Sequence, residues 1–389
     1  MEHPILKEAH IMESELIRWR RNLHAMPEVG LHLPGTAAFI QQELAAMGIS
    51  CQVYPEISCV SAVIGSGKTC LLLRADMDAL AVKEETALPF RAKNGCMHGC
   101  GHDLHAAMLL GAAKLLKSRE KELGGRVKLL FQSGEEPLQG AKAAIAAGLL
   151  ENPKVDAAFA MHVVAMLPMG TAFTGKAPTA SADLFRITVT GQGGHGSMPE
   201  RCIDPVGAAV QVYLALQSLI AREVGGTEEA VLTVGQLTAG ETANVIPQQA
   251  ILQGSLRTFQ KELRSRLLRR MEEISIATAA AYRCQCRVEI PNSCCSLVTD
   301  EALTALGKSS ITSLCPHFHV DTTAHGMGSD DFAEIADRVP VSYYMLGAGP
   351  ADESKRRSQH HPEIEFNEEI LPLGAAIFTK VATDFLAQK

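Results

Sequence analysis

Between residues 69 and 163 the chain alternates short, continuously apolar runs with runs of helical spacing. "TCLLLRAD" (69–76) is apolar without a helical period and ends in acid. "HAAMLLGAAKLLKS" (105–118) is rich in Ala and Leu at helical spacing. "RVKLLFQSGEEP" (126–137) reads as a strand entering a loop, "AKAAIAAGLL" (141–150) as a helix closed by Asn152 and Pro153, and "VDAAFAMHV" (155–163) as a further buried strand. Such βαβ alternation implies an α/β fold with a mostly parallel sheet covered by helices. Open sheets of this kind bind ligands beyond the carboxyl ends of their strands. Asp76 and Asp78, Glu135 and Glu136, and His162 are therefore expected to converge.

The rhythm changes near residue 182. "DLFRITVTG" reads as a strand, 204–223 as a helix, "EAVLTVGQL" and "QQAILQGSLRTF" as two strands, 260–282 as a long helix and "CQCRVEI" as a last strand. The order β-α-β-β-α-β is the ferredoxin-like plan. We therefore expect a catalytic domain in two segments, 1–181 and 293–389, interrupted by an inserted α+β domain, 182–292.

The bulk numbers exclude several classes. With 389 residues and 47% hydrophobic side chains the chain buries large cores. A net charge of −7 argues against a nucleic-acid surface. No run reaches the roughly 18 uncharged apolar residues of a membrane span, and the N-terminal residues lack the apolar centre of a signal peptide. A cytoplasmic protein is expected. The 11 cysteines are scattered and odd in number, which suits small buried side chains better than a disulfide framework.

Two motifs mislead. "GSGKT" (65–69) has Ala62 where a P-loop needs glycine and precedes a strand, so a hairpin turn is expected. "GQGGHG" (191–196) lacks the pattern and the context of a dinucleotide loop.

"CMHGCGHDLH" (96–105) is different. It lacks the paired spacing of a zinc finger and the C-x-x-C of a thioredoxin. Thiolate, imidazole and carboxylate together suit Zn²⁺, Mn²⁺ or Co²⁺. In "FQSGEEP", two adjacent glutamates at a strand-to-loop junction read alone as a solvated loop; beside a cation site they make sense with one binding the metal and the other working as general base on a metal-bound water.

These motifs resemble the M20 metallopeptidase family, in particular its amidohydrolase branch of hippurate hydrolases, aminoacylases and indole-acetyl-amino-acid hydrolases. The resemblance rests on "LHAMPEVG" (23–30), "LRADMDAL" (73–80), "MHGCGHDLHAAMLLGAAKLL" (97–116), "FQSGEEPLQGAKAAIAAGLL" (131–150) and "MHV" (161–163). It continues through "GQGGHGSMPE" (191–200), "NVIP" (244–247), "GSLRTF" (254–259), "GSDDFAEIA" (328–336) and "HHPEIEF" (360–366). It covers essentially the whole chain. It implies a dinuclear metal-dependent amidohydrolase that cleaves N-acyl-L-amino acids, with dipeptidase or carboxypeptidase activity, or N-acetyl-diaminopimelate deacetylation, as alternatives. It implies two divalent metal ions (Zn, Mn, Co or Ni). Cys100 bridges them, with His102 and His162 completing one ligand set and Glu136 and His360 the other; His361 competes with His360. Glu135 is the implied general base, and Asp76 a residue that orients a ligand. On the inserted domain the resemblance assigns His195 to the reacting carbonyl across a homodimer, and Asn244 and Arg257 to the substrate carboxylate. That domain is implied to serve as lid and dimerisation surface. Asp330, Glu200 and Glu365 depart from the common pattern without removing a ligand or the base.

Overall fold

The computed structural model describes residues 2–388 and falls into two compact units. The first contains the described residues up to Pro178, then Val298–His325 and Asp330 onward. The second is Thr179–Leu297 with the short segment Gly326–Ser329. That segment joins the second unit through backbone pairing: Thr179 bridges Gly326, and Ala180 donates its N–H to Gly328 O at 2.8 Å.

The first unit is built on an eight-stranded sheet. Its order across the sheet is Cys51–Tyr54, Cys59–Gly65, Arg126–Gln132, Cys70–Asp76, Ala157–Val164, Val341–Gly347, Thr171–Phe173 and His319–Asp321. The central strands, from Arg126–Gln132 to Val341–Gly347, run parallel. Antiparallel pairings flank them on both sides, so the sheet is mixed around a parallel centre. Every residue of Cys70–Asp76 is buried. This is why the strand reads as a continuous apolar run: a central parallel strand is covered on both faces.

Helix His102–Ser118 follows the "CG" of the first motif and is buried along nearly its whole length. It packs against the C-terminal helix Ile370–Ala387. That helix is long and apolar enough to cross a membrane by length and composition, yet 78% of it is buried inside the protein. Its apolarity is that of a core helix, hydrophobic all round because neighbours surround it.

Two local expectations change. The turn at "GSGKT" joins Cys59–Gly65 to Cys70–Asp76, but these strands are not paired; Arg126–Gln132 lies between them. The connection is therefore not a hairpin. Its glycines let it cross the start of the intervening strand: Gly65 has φ +87°, and a Cβ there would lie 2.5 Å from Gly125 O. The helix at "AKAAIAAGLL" spans Gly140–Ala146 and ends on Gly148 (φ +83°) rather than at Asn152 and Pro153. Glycine closes it early because a left-handed residue is the cheapest C-terminal cap.

The second unit has a four-stranded antiparallel sheet in the order Gln285–Cys294, Ala182–Thr190, Gln249–Thr258, Ala230–Ala239. With helices Pro205–Glu223 and Lys261–Ala281 this is the β-α-β-β-α-β arrangement. Alternate residues of Ala182–Thr190 enter a core with both helices, led by Phe185, Ile187, Val189, Leu216 and Leu267. Asp204 caps the first helix by accepting from Val206 N, and Pro205 fills its first position. Arg264 anchors the second helix to the sheet by two bonds of 2.7 Å to Asp183.

Candidate metal centre

The first unit gathers Cys100, His102, Glu135, Glu136, His162 and His360 into one cluster. Cys100, His102 and His162 present ligand atoms within 4.8 Å of one another, and so do Cys100, Glu136 and His360. Cys100 belongs to both groups. Elements far apart in sequence deliver them. Cys100 and His102 stand at the start of helix His102–Ser118. Glu135 and Glu136 follow strand Arg126–Gln132. His162 lies inside the last turns of strand Ala157–Val164, and His360 on a loop before the C-terminal helix. Gly101 makes the first corner possible: it has φ +94°, and a Cβ there would strike Val163 Cγ2 at 2.4 Å.

His102 and His162 are each aimed by their second nitrogen. His102 donates Nδ1–H to the Asp78 carbonyl at 2.9 Å, and its buried Nε2 has no hydrogen-bond partner among the described residues. His162 donates Nδ1–H to the Val163 carbonyl at 2.7 Å and turns Nε2 to Cys100 Sγ at 3.3 Å. His360 Nε2 stands 3.5 Å from Glu136 Oε1, which has no closer hydrogen-bond partner among the described residues. Carbonyl-tethered imidazoles with the other nitrogen open are the usual arrangement of metal-binding histidines. Neighbouring ligands on a tetrahedral Zn²⁺ stand about 3.4–3.6 Å apart at normal bond lengths. The His360–Glu136 separation of 3.5 Å falls in that range, and the His162–Cys100 separation of 3.3 Å lies just below it.

The electrostatics call for cations. Burial lowers the His102 imidazole, but Asp76 and Cys100 outweigh it and hold it well above its usual value. The acidic surroundings thus favour positive charge on this ring. Burial, then His105, takes His162 down to about 3, leaving it neutral. Burial pushes the Cys100 thiol up to about 12; a thiolate there needs a cation beside it.

Glu135 lies beside these groups. Its Oε2 is 4.0 Å from His102 Nε2, and it is 6% exposed. Burial first, then Asp330 and Glu136, raise its carboxyl well above the usual range. His361 stands apart from the cluster and accepts Glu363 N–H at Nδ1.

Further residues, among them His105 and Arg74, which had no role from sequence, support this arrangement. The Asp78 carboxylate accepts Glu135 N and Glu136 N, both at 3.1 Å. Asp76 bonds His105 Nδ1 at 2.5 Å and comes only within 3.7 Å of His102 Nε2, so the ring it holds directly is His105. His105 Nε2 in turn accepts Val163 N–H at 2.9 Å. Arg74 is fully buried and pairs with Asp76, Asp330 and Asp331 at 2.7–3.0 Å. A charge inside an apolar run was the available signal for Arg74, because a buried charge must be paired.

The second unit holds the other candidates. His195 pairs in register with Val245 on a short ribbon, and Gly196 donates to Asn244 O at 2.9 Å, which brings His195 and Asn244 together. Arg257 sits near the end of strand Gln249–Thr258 and donates from Nη1 to Met327 O at 2.8 Å.

Residues 72–384 match the model of peptidase family M20/M25/M40. The chain belongs to this family. Among M20 relatives, it is 35% identical over 376 residues to the Arabidopsis thaliana IAA-amino acid hydrolase ILR1-like 4, covering 95% of this chain and 85% of that one. It is 34% identical to the Bacillus subtilis N-acetylcysteine deacetylase, covering 95% and 96%. A solved Bacillus subtilis M20 structure, described as a dinuclear metal binding peptidase, superposes with a TM-score of 0.81 at 31% identity, over 98% of this chain and 100% of that one.

Proposed function

We propose that this M20 chain is a dinuclear metal-dependent amidohydrolase that cleaves N-acyl-L-amino acids to a carboxylic acid and a free amino acid. The observation that carries it is the membership of Cys100 in two ligand groups, with Glu135 outside those two yet close to His102 and Glu136, a member of each. A closed structural site leaves no such spare carboxylate. The named activities of the plant and Bacillus relatives, on amide-linked amino acids, support the same reading.

Cys100, His102 and His162 would hold one divalent cation, and Cys100, Glu136 and His360 the other. When bound, the cations supply Lewis-acid polarisation and charge stabilisation. Glu135 takes a proton from the water that attacks the acyl carbonyl. As the C–N bond breaks, Glu135 returns that proton to the leaving nitrogen. Asp78 holds the backbone of Glu135 and Glu136 in place for this exchange.

We assign His195 to the developing oxyanion in the partner's site. Ser197 N donates to its Nδ1 at 3.2 Å, so Nε2 carries the hydrogen and can donate. Arg257 and Asn244 are assigned to the free α-carboxylate of the substrate. A homodimer through the second unit is supported by exposed Val210, Tyr213 and Leu214 on one helix face, and by Val231 and Leu237 on the edge strand Ala230–Ala239. The cysteines among the described residues are all free thiols, which suits a reducing cytoplasm.

The test is product release from hippurate, N-acetyl-methionine, N-acetylcysteine and indole-acetyl amino acids, before and after metal removal. Dipeptides complete the panel and report the peptidase alternative. Turnover that vanishes with chelator and returns with Zn²⁺, Mn²⁺, Co²⁺ or Ni²⁺ is expected. No turnover of any N-acyl amino acid with all four metals supplied would sink the proposal.

A further inference from the structure

The two ligand groups share Cys100, but a second connection joins them. Gln359 is half-buried and donates Nε2–H to the Val163 carbonyl at 2.8 Å. That carbonyl also takes the Nδ1–H of His162 at 2.7 Å. The next residue along the chain, His360, belongs to the other ligand group. Its own N–H is bonded to the Gly99 carbonyl at 2.9 Å, next to the shared Cys100. His360 has φ +70°, a left-handed conformation that a non-glycine residue keeps only when its surroundings hold it. The Gln359–His360 segment is thus stapled at one end to the strand that bears His162 and at the other to the loop that bears Cys100.

We infer that Gln359 is a positioning residue that couples the two metal positions, so that filling one favours filling the other. This rests on the dinuclear reading above. The path is short and made of single contacts. A cation on His162 Nε2 fixes the ring, and the ring fixes the Val163 carbonyl through Nδ1–H. The carbonyl holds the Gln359 amide, and Gln359 holds the backbone of His360 in the orientation that faces Glu136. Val163 is held on its other side as well: its N–H, in the preceding peptide unit, donates to His105 Nε2 at 2.9 Å. Coupling of this kind is reciprocal: an ion on His360 and Glu136 equally favours the His162 position. Outer contacts to ligands typically change metal affinity by about 10- to 100-fold.

The experiment loads metal-free full-length protein with Co²⁺, followed by calorimetry and by the thiolate absorption that Cys100 contributes. The wild type is expected to take two ions in one steep phase. Gln359→Leu removes the donor at similar volume. It should separate loading into two phases, with the first affinity kept and the second weakened by about 10-fold. Ser358→Ala, on the same loop and exposed, should load like the wild type. Melting of the metal-free proteins checks folding, and Gln359→Met is read in the same way should the Leu variant not fold. Two independent phases in the wild type, or a donorless variant that loads like the wild type, overturns the coupling. Fewer than two ions in the wild type would instead remove the dinuclear reading on which it rests.

Discussion

The Nδ1–H of His102 ends on the backbone carbonyl of Asp78 at 2.9 Å, while the carboxylate of the same Asp78 takes the N–H groups of Glu135 and Glu136. One buried residue thereby sets the tautomer of a candidate ligand and the positions of a second candidate ligand and of the proposed base.

Glu135→Gln should keep its metal and lose turnover by about 10²–10⁴-fold, the usual cost of removing a general base. The side chain belongs to neither Cys100-centred ligand group, and the amide keeps its shape. Elemental analysis beside kcat checks this; a normal kcat would assign the base elsewhere.

Cys100→Ser should lower or alter metal occupancy, because a serine hydroxyl is a far weaker anionic ligand than a thiolate at neutral pH. Cys202→Ser should not, since Cys202 is a buried residue of the second unit. Equal metal content in the two variants would reduce Cys100 to a core side chain.

Arg257→Ala should raise KM by roughly 10- to 100-fold for substrates with a free α-carboxylate, the worth of one charge-assisted pair. The matching amino-acid amides should be affected much less. Its present bond to Met327 O supplies the competing account, in which Arg257 only braces Gly326–Ser329. Equal losses on acids and amides would favour bracing.

A His195→Ala chain and a Glu135→Gln chain should each be nearly inactive alone and complement each other when co-expressed. Random pairing makes about half the dimers mixed, each with one site that has both groups, so roughly a quarter of wild-type activity should return. Recovery no greater than the sum of the parents, with mixed dimers verified by tags, places His195 in its own chain's site or outside catalysis.

The alternation of apolar and helix-spaced runs was enough to read the α/β layers and the β-α-β-β-α-β insertion, because burial on one or both faces writes its period directly into the chain. Residue chemistry was equally legible: thiol, imidazoles and paired glutamates announce a cation site wherever they fold. Strand order was not legible. Nothing in "GSGKT" says that Arg126–Gln132 will lie between the two strands it joins, since that depends on residues some sixty positions away. The supporting contacts were hidden for the same reason. Asp78, His105 and Gln359 act through backbone groups of distant residues, and backbone groups are identical at every position. Composition and motif therefore supplied the thiol, imidazole and carboxylate atoms proposed to bind metal and move a proton. Only the tertiary structure decided how they are aimed, because aim is set by hydrogen bonds to carbonyls and amides that long-range packing brings alongside.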